Sequence, residues 1–320
     1  RIDRLALLVG FIVFLLAPIA SYYLAAGAIE PVAEMINTMS RLQGSEIKDR
    51  LPIRGAGDEL DKLATTFNSL LDRISEDLQE KRDFLANAAH ELRTPVAAIR
   101  NLIEVTLHAE RSNEDYQETL ADVLEQCGSL QLIVNQLLLL AELQASRPDP
   151  VLETVQLSEV IGKSLEMFEA AAEVAEVEMT AKITPGLTIQ ANRLHISQII
   201  NNLIDNAIKF TPAGGKIWVE LESDGEDIVE LRVRDSGIGI PEEKLPRIFE
   251  RFFRATEPQS AGAAKRGSGL GLSIVKSLVD RYGGEIEARS NKGGGTSFVI
   301  RWPLATAALP RTAPLASSSS

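Results

Sequence analysis

The feature that most constrains the fold is an apolar stripe at three- and four-residue spacing over residues 67–109. This spacing places apolar side chains on one face of a long α-helix. A polar turn at 110–114 separates it from a second such stripe over residues 120–141. Two long helices joined by a short turn form an antiparallel hairpin, which is too narrow to bury both stripes by itself. The spacing therefore predicts that two hairpins pair as a dimeric four-helix bundle, with a structural coiled coil as the alternative.

Charge and cysteine content narrow the class of protein. The net charge of −12 argues against nucleic acid as a partner, because phosphate backbones bind to basic surfaces. The single cysteine, Cys127, excludes an internal disulfide and fits a reducing compartment. Because Cys127 lies within the second apolar stripe, we predict that it is a small core residue.

Residues 5–26 carry no charged side chain. A helix of this length crosses a bilayer core, which needs ~20 apolar residues. Tyr22 and Tyr23 suit the aromatic belt at a membrane interface. A signal peptide is the alternative, but its apolar region is only ~7–15 residues long. We therefore predict a transmembrane helix, in a chain that is a fragment because it begins at Arg1 rather than at methionine.

A different pattern follows the Arg-Pro-Asp-Pro break at 147–150. Ser158 is predicted to cap one helix, and residues 192–210 are predicted to form another. Alternation of apolar and polar residues predicts strands over 229–233 and 298–302. This mixture predicts an α/β two-layer sandwich, with helices packed on one face of a mixed sheet.

His90 is one of three histidines and lies in the run Phe-Leu-Ala-Asn-Ala-Ala-His-Glu-Leu-Arg-Thr-Pro, on a strongly helical segment. Glu91 directly follows it, and Thr94 lies one helical turn along the same face. This setting suits an imidazole that acts as a nucleophile. A solvent-facing histidine beside a solvated glutamate is the alternative interpretation of these residues alone.

Polar groups suited to a nucleotide lie on the predicted helix 192–210. Asn202 and Asn206 are four residues apart and share a face, with Lys209 near it. A carboxamide oxygen is a hard, neutral ligand suited to Mg²⁺, and a lysine can neutralise phosphate charge. A solvated helix surface is the alternative for the two asparagines taken alone.

Two glycine-containing segments follow along the chain. Asp235-Ser-Gly-Ile-Gly comes directly after a strand, and its carboxylate can accept a hydrogen bond from an exocyclic amino group such as that of adenine. Gly267-Ser-Gly-Leu-Gly opens a helix and offers free amide groups to phosphate oxygens. Arg254 lies between them and is able to reach a triphosphate.

In this order the segments resemble the N, G1, F and G2 boxes of the histidine-kinase ATP domain, which shares its fold with Hsp90-type chaperones and gyrase. His-Glu-x-x-Thr-Pro at 90–95 resembles the phospho-acceptor box of sensor histidine kinases. Pro31 and Asp58-Glu59, near the starts of two short predicted helices, resemble a HAMP signal-relay module. The resemblance implies a multidomain chain: a transmembrane helix at 1–27, a HAMP relay at 28–80, a dimerisation and phosphotransfer domain at 81–147, an ATP-binding domain at 152–304, and a disordered tail at 305–320.

The resemblance also implies roles for single residues. Asn206 would hold Mg²⁺, with support from Asn202. Lys209 and Arg254 would face the phosphates, and Asp235 would accept from the adenine amino group. The remaining matched positions would shape the pocket and its lid: Phe210, Gly237, Gly239, Gly267, Gly269, Leu270, Gly271 and Thr296. The small and polar segment 255–266 would form the mobile part of the lid.

The activity that the resemblance implies is that of a protein-histidine kinase that uses ATP and Mg²⁺. His90 would take the γ-phosphoryl group with Glu91 as base, and would pass it to an aspartate of a cognate response regulator. Thr94 would help to orient the water that dephosphorylates the regulator. The protein is expected to be a homodimer in the inner (plasma) membrane, with its catalytic part in the cytoplasm and a sensor domain before Arg1.

Two other functions compete with this interpretation. An ATPase or chaperone-like clamp of the same nucleotide fold uses a water-activating glutamate where this chain has Asn202, and it lacks the box around His90. A non-catalytic scaffold that binds ATP would not need every functional position to be filled. Both alternatives are therefore disfavoured.

Overall fold

The computed structural model describes residues 10, 11, 14–16, 18, 50–53, 55, 57–108, 110–144, 152–225, 227–255, 267–290 and 294–305. The chain divides into two compact units, Arg1–Ala86 and Asn87–Ser320.

The described part of the chain contains long helices first and a mixture of helices and strands afterwards. The helices are α1 (Glu59–Leu107), α2 (Asn113–Gln144), α3 (Leu157–Val174), α4 (Arg193–Phe210) and α5 (Gly271–Arg281). The strands are β1 (Glu153–Gln156), β2 (Glu178–Ile183), β3 (Thr188–Ala191), β4 (Lys216–Ser223), β5 (Ile228–Asp235), β6 (Glu285–Ser290) and β7 (Thr296–Pro303). A 3-10 helix, Glu242–Arg247, follows β5.

In the first unit, the residues before α1 are held against its first turns. The Asn68 carboxamide accepts from the Leu51 backbone N–H at 2.8 Å and donates to the Leu51 carbonyl at 2.9 Å. Arg50 pairs with Asp72 at 2.7 Å. Leu51 and Ala64 form a small buried core. These hydrogen bonds, the ion pair and the apolar contact together hold residues 50 and 51 against the helix.

Helices α1 and α2 are the two helices that the apolar stripes predict. The Thr106 hydroxyl on α1 donates to the Thr119 hydroxyl on α2 at 3.2 Å. Ser112 and Asp115 cap the start of α2 reciprocally, each backbone N–H donating to the other side chain at 3.1 Å. The Ser112 N–H and hydroxyl lower the pKa of Asp115. The turn between the helices is therefore set by local capping.

Much of the second stripe is uncovered in the single chain. Leu124 is 74% exposed and Leu120 is 67% exposed. Cys127 is exposed as well, so the prediction that it is a core residue is wrong for the single chain. The physical reason is that α1 does not cover this side of α2. Among the described residues, Asn113–Leu143 is the one helix long and apolar enough, by length and composition, to cross a membrane.

The predicted two-layer α/β sandwich is confirmed in the second unit. A five-stranded sheet has the order β2-β4-β5-β7-β6, with β2 and β4 parallel and the other neighbours antiparallel. A two-stranded sheet pairs β1 with β3. The apolar sides of α3, α4 and α5 are buried, as are the alternating residues Ile217, Val219 and Leu221 of β4. Asp235 ends β5 and is paired with Ile217.

A polar cluster ties the start of α4 to the end of α5. The Tyr282 hydroxyl accepts from the Asn192 backbone N–H at 3.3 Å and lies 2.5 Å from Nδ1 of His195. Asn192 also caps α4, since its side chain accepts from the Leu194 N–H at 2.9 Å. The two helices are therefore joined at the ends that lie away from Phe210 and Gly271.

The prediction that Ser158 caps α3 is wrong. The helix begins at Leu157, and Gln156 at the cap position makes no side-chain cap hydrogen bond. Strand β1 runs directly into the helix, and the Leu157 N–H donates to the Leu187 carbonyl at 3.1 Å. A backbone acceptor from another segment satisfies the donor that a capping side chain would otherwise satisfy.

Several predictions fall on parts of the chain outside the described residues. Of the predicted transmembrane helix, the structure describes residues 10, 11, 14–16 and 18, which are helical. The first predicted HAMP helix, the linker at 147–150, most of the lid segment 255–266, and the tail beyond Ala305 lie outside the described residues.

Candidate nucleotide and phospho-acceptor sites

His90 lies on the solvent-exposed side of α1, which continues through Pro95. No hydrogen bond to its imidazole is found within the described part of the chain. The Thr94 hydroxyl donates to the His90 backbone carbonyl at 3.3 Å, so this threonine lies one turn along the same helix. The imidazole therefore has no hydrogen-bond partner among the described residues, and its exposure makes it accessible to a second molecule.

The asparagines predicted for the nucleotide site lie on the face of α4 that its apolar residues leave open. Ile199, Ile200 and Leu203 are buried at 1% exposure or less, and they fix the orientation of the helix. Asn202 donates from Nδ2 to the Gln198 carbonyl at 2.9 Å. Asn206 is half-buried, and no hydrogen bond of its carboxamide is found among the described residues.

Lys209 is held on the same helix by Asp205, at 2.6 Å from its carboxylate. Both side chains are partly exposed, so this pair contributes little to stability. Lys209 is thus placed at the end of α4 with an acidic partner one turn away. Its predicted role toward phosphates remains a prediction.

Asp235 is a buried polar group of the site, at 6% exposure. Its Oδ1 accepts from the Gly237 N–H at 2.8 Å and from the Thr296 N–H at 3.1 Å. Burial raises the pKa of Asp235, while the two backbone hydrogen bonds act to lower it. Because both bonds use Oδ1, the other oxygen is left for a ligand donor.

Glycines allow the backbone to approach closely around Asp235. A Cβ at Gly237 would lie 2.2 Å from the Phe210 carbonyl oxygen. Gly295, at φ +88°, would place a Cβ 2.0 Å from the Asp235 carbonyl oxygen. Gly239 adopts φ +70°. The backbone therefore packs tightly around this carboxylate, and side chains at Gly237 or Gly295 would collide with it. We call Asp235 with Gly237, Gly239 and Gly295 the Asp235 cradle.

The glycine-rich turn precedes α5 as predicted. Gly269 adopts φ +71°, and a Cβ there would lie 2.7 Å from the Phe252 carbonyl carbon. The Gly269 carbonyl accepts from the Phe252 N–H at 3.0 Å. Leu270 is fully buried and anchors the turn, whereas Gly267 is exposed. A Cβ at Gly271 would lie 3.1 Å from Asn202 Oδ1, so the turn reaches the face of α4 that carries the asparagines.

Among the described residues, no hydrogen bond or ion pair joins Arg254 to Lys209 or Asn206. Its guanidinium donates to both carboxylate oxygens of Glu91, at 2.8 Å each. Glu91 follows His90 directly on α1, so the segment after β5 contacts α1 at this point. The role of Arg254 toward phosphates stays a prediction.

The residues present fit a nucleotide with Mg²⁺. Within the described ranges, no group of three or more His, Cys, Asp and Glu side chains is placed to hold a metal. Mg²⁺ commonly takes one or two protein oxygens together with substrate phosphates and water. The carboxamide of Asn206 matches that donor set, and the Asp235 cradle matches a base that carries an amino group.

Sequence reasoning missed two residues beside the site. Gly295 packs against the Asp235 carbonyl, and Gln136 on α2 accepts from the Ser268 hydroxyl at 2.9 Å. Only a contact between distant parts of the chain reveals Gln136. Gly295 has a local signal, the glycine pair at 294 and 295, because a positive φ is common for glycine.

Three family models match the chain in the predicted order. They are the HAMP domain at residues 23–76, the His Kinase A (phospho-acceptor) domain at 80–146, and the histidine kinase-, DNA gyrase B- and HSP90-like ATPase at 191–306. His90 falls within the second match, and Asp235 falls within the third.

Several named histidine kinases are similar to this chain. The histidine-protein kinase/phosphatase MprB of Mycolicibacterium vanbaalenii is 32% identical over 302 residues, which cover 92% of this chain and 60% of that protein. The solved structure of the histidine kinase AdeS of Acinetobacter baumannii is 25% identical, with a TM-score of 0.54, and covers 67% of this chain and 98% of that one. The histidine kinase ThkA, solved in complex with the response regulator TrrA, is 27% identical, with a TM-score of 0.51, and covers 72% of this chain and 63% of that one.

The chain spans about 60% of the length of the curated relatives that it matches. Its matched part includes the relay, the phospho-acceptor helices and the ATPase fold in one continuous order. The chain therefore belongs to the sensor histidine kinases of two-component systems.

Proposed function

We propose that the protein is an ATP-dependent protein-histidine kinase that phosphorylates His90. The observation that carries the proposal is the exposed imidazole of His90, which has no hydrogen-bond partner among the described residues and lies in the same compact unit as the enclosed Asp235 cradle. The cradle would hold adenine through the free oxygen of Asp235, and the amides of the glycine-rich turn would hold phosphate oxygens.

The unprotonated ring nitrogen of His90 attacks the γ-phosphorus in line. A nitrogen–phosphorus bond forms as the bond from that phosphorus to the bridging oxygen breaks, and ADP leaves. Glu91 accepts the proton from the other ring nitrogen, which makes the attacking nitrogen more nucleophilic. Lys209 and Arg254 offset charge on the transferred group, and Mg²⁺ held by Asn206 would add to this electrostatic stabilisation.

The phosphohistidine then passes its phosphoryl group to an aspartate of a response regulator. The complex of ThkA with TrrA supports a regulator as partner, because it joins a related kinase to such a protein. The name of the MprB relative, kinase/phosphatase, supports a second activity. Thr94, one turn from His90, would help to orient the hydrolytic water for it.

We infer a homodimer through α1 and α2, because Leu120 and Leu124 are exposed in the single chain. A bundle partner explains the apolar surface of α2 better than lipid does, since this helix lies within the phospho-acceptor match. Residues 1–27 would anchor the protein in the inner membrane. The use of ATP and the single cysteine support a cytoplasmic catalytic part.

Incorporation of label from [γ-³²P]ATP with Mg²⁺ tests the proposal. We expect acid-labile, alkali-stable label on the protein, and complete loss of it in His90→Gln with ATP binding retained. His108→Gln is the matched control, because His108 is also on or beside α1 but lies outside the acceptor box. Label that persists in His90→Gln would reject His90 as the acceptor. ATP hydrolysis without any labelled protein would favour the ATPase clamp.

A further inference from the structure

Two polar pairs among the described residues join the ATP domain to the helical hairpin. Arg254 holds both oxygens of Glu91, and the Ser268 hydroxyl donates to Oε1 of Gln136 at 2.9 Å. Glu91 lies on α1 and Gln136 on α2, so the domain contacts both helices. We call Arg254–Glu91 and Ser268–Gln136 the docking pairs.

Packing around the second pair indicates that it is a formed contact. Gln136 is only 6% exposed, although a glutamine on a helix surface is normally solvated. Leu140, one turn further along α2, is 1% exposed. It lines a cavity of about 380 Å³ together with Leu143 of α2 and with Ser277 and Asp280 of α5. The bundle helix and α5 thus pack against each other over more than one turn.

The residues that the hairpin engages belong to the nucleotide site. Arg254 is the arginine assigned to the phosphates, and Ser268 lies inside the glycine-rich turn, where it also accepts from the Leu270 N–H at 3.3 Å. Glu91 is the assigned base for His90. A guanidinium that holds both oxygens of a carboxylate is not free to hold a triphosphate, and that carboxylate is less available to take a proton.

We propose that the docking pairs form a latch that competes with the triphosphate for Arg254 and for the glycine-rich turn. The hairpin holds these groups and so blocks both the phosphate subsite and the base. Binding of a nucleotide triphosphate frees Glu91 as it takes Arg254. This inference rests on the proposed function, because it uses the assignments of Arg254 and Glu91 made there.

Thermodynamic linkage makes the competition measurable. If nucleotide binding must break the latch, then weakening the latch must tighten nucleotide binding by the same factor. The two charged partners are about a third exposed or less, so solvent screens their attraction. Removing the Glu91 charge should therefore tighten binding by about two- to fivefold, as expected for one partly exposed ion pair.

The experiment is calorimetric titration of the full chain with the non-hydrolysable analogue AMPPNP and Mg²⁺. Glu91→Gln is expected to bind two to five times more tightly than the unsubstituted protein, as estimated above. The control is Glu104→Gln, which removes the same charge from an exposed pair with Arg100 on the same helix and should leave the affinity unchanged. Equal affinities of the two variants, or weaker binding by Glu91→Gln, would overturn the latch.

The uncharged pair gives a second, independent arm. Gln136→Leu and Ser268→Ala should each tighten AMPPNP binding. The double variant should bind no more tightly than the tighter-binding single variant, because each of the three variants removes the same Ser268–Gln136 hydrogen bond. Gln136→Leu should also lower KM for ATP in the labelling assay with kcat unchanged. Additive effects would show that the two residues act separately and would reject the contact as part of the latch.

Failure of the latch and failure of the kinase proposal are distinguishable. If the unsubstituted chain does not bind AMPPNP, the kinase proposal fails. If the unsubstituted chain binds AMPPNP and is labelled on His90 by ATP, but the variants bind AMPPNP with the same affinity, only the latch fails. Circular dichroism and thermal unfolding of each variant identify any loss of fold, and Gln136→Glu replaces Gln136→Leu if the latter does not fold.

Discussion

In the ATP domain, Asp235 is 6% exposed and receives two backbone hydrogen bonds, whereas on α1 the His90 side chain is exposed and receives none within the described residues. The first site is completed by residues of its own chain, since β7 and the glycines close around it. The second is left open to whatever delivers or removes a phosphoryl group. A binding site needs a fixed shape, and a transfer site that serves both ATP and a partner protein needs access from more than one side.

The largest effect should come from the open region. Leu124→Lys places a charge on the uncovered apolar stripe of α2, and two copies of it would lie in the proposed dimer. Losing burial of two leucines should weaken dimerisation by about a hundredfold or more. Sedimentation at micromolar concentrations measures the dimer, and thermal unfolding of the ATP domain should not change.

Leu194→Lys is the matched control, because Leu194 is 76% exposed and Leu124 is 74% exposed, but Leu194 lies on α4. It should leave dimerisation intact. A folded monomer of the unsubstituted chain, or a dimer that tolerates Leu124→Lys, would mean that α2 is not at the interface.

The next effect measures how tightly the backbone packs around Asp235 in the ATP domain. Gly295→Ala adds a Cβ that would lie 2.0 Å from the Asp235 carbonyl oxygen at φ +88°. Overpacking and the left-handed backbone together should lower the free energy of unfolding by about 3 kcal/mol. Gly186→Ala, at φ +82° with open space around it, should cost only about 1 kcal/mol. Equal costs in denaturant titrations would mean that the cradle is loosely packed.

The smallest effect separates binding from stability. Asp235→Asn keeps an oxygen that can accept from Gly237 and Thr296 but turns an amino group toward the ligand, so ATP affinity should fall by about ten- to a hundredfold. Burial raises the pKa of Asp235, so its ionisation lowers the free energy of unfolding as the pH rises through that pKa. The amide lacks this penalty, and the nucleotide-free variant should be at least as stable at neutral pH.

Thermal unfolding and calorimetric titration measure the two quantities. Asp280→Asn, at an exposed pair with Lys276, is the control for the loss of a charge and should change neither. A variant that loses stability and affinity together would assign Asp235 a structural role only.

Local signals in the sequence predicted what local contacts determine. The spacing of apolar residues predicted α1 and α2, and the run around Asp235 predicted a carboxylate that follows a strand. Helix α4 was also predicted, with Asn192 at its start. These features depend on residues a few positions apart, which the sequence displays directly.

Long-range contacts decided what sequence reasoning missed. The contact of Ser268 with Gln136 joins residues 132 positions apart. The cap of α3 was assigned to Ser158 because the Leu187 carbonyl, which accepts from Leu157, cannot be recognised from the local sequence. The exposure of Cys127 depends on which side of α2 its neighbour covers, and helical spacing alone does not state this.

The contacts of the Tyr282 hydroxyl with the start of α4 fix one end of α5, so that α5 can tilt about that end. The helix has 11 residues and so is about 16 Å long. Its far end is fixed by the Tyr282 hydroxyl, and its near end carries the glycine-rich turn. A tilt of about 10° about the fixed end would move that turn by about 3 Å, about half of a helical turn. That distance is about the length of one N–H···O hydrogen bond, so a small rotation at one tyrosine is enough to make or break hydrogen bonds from the amides of the turn.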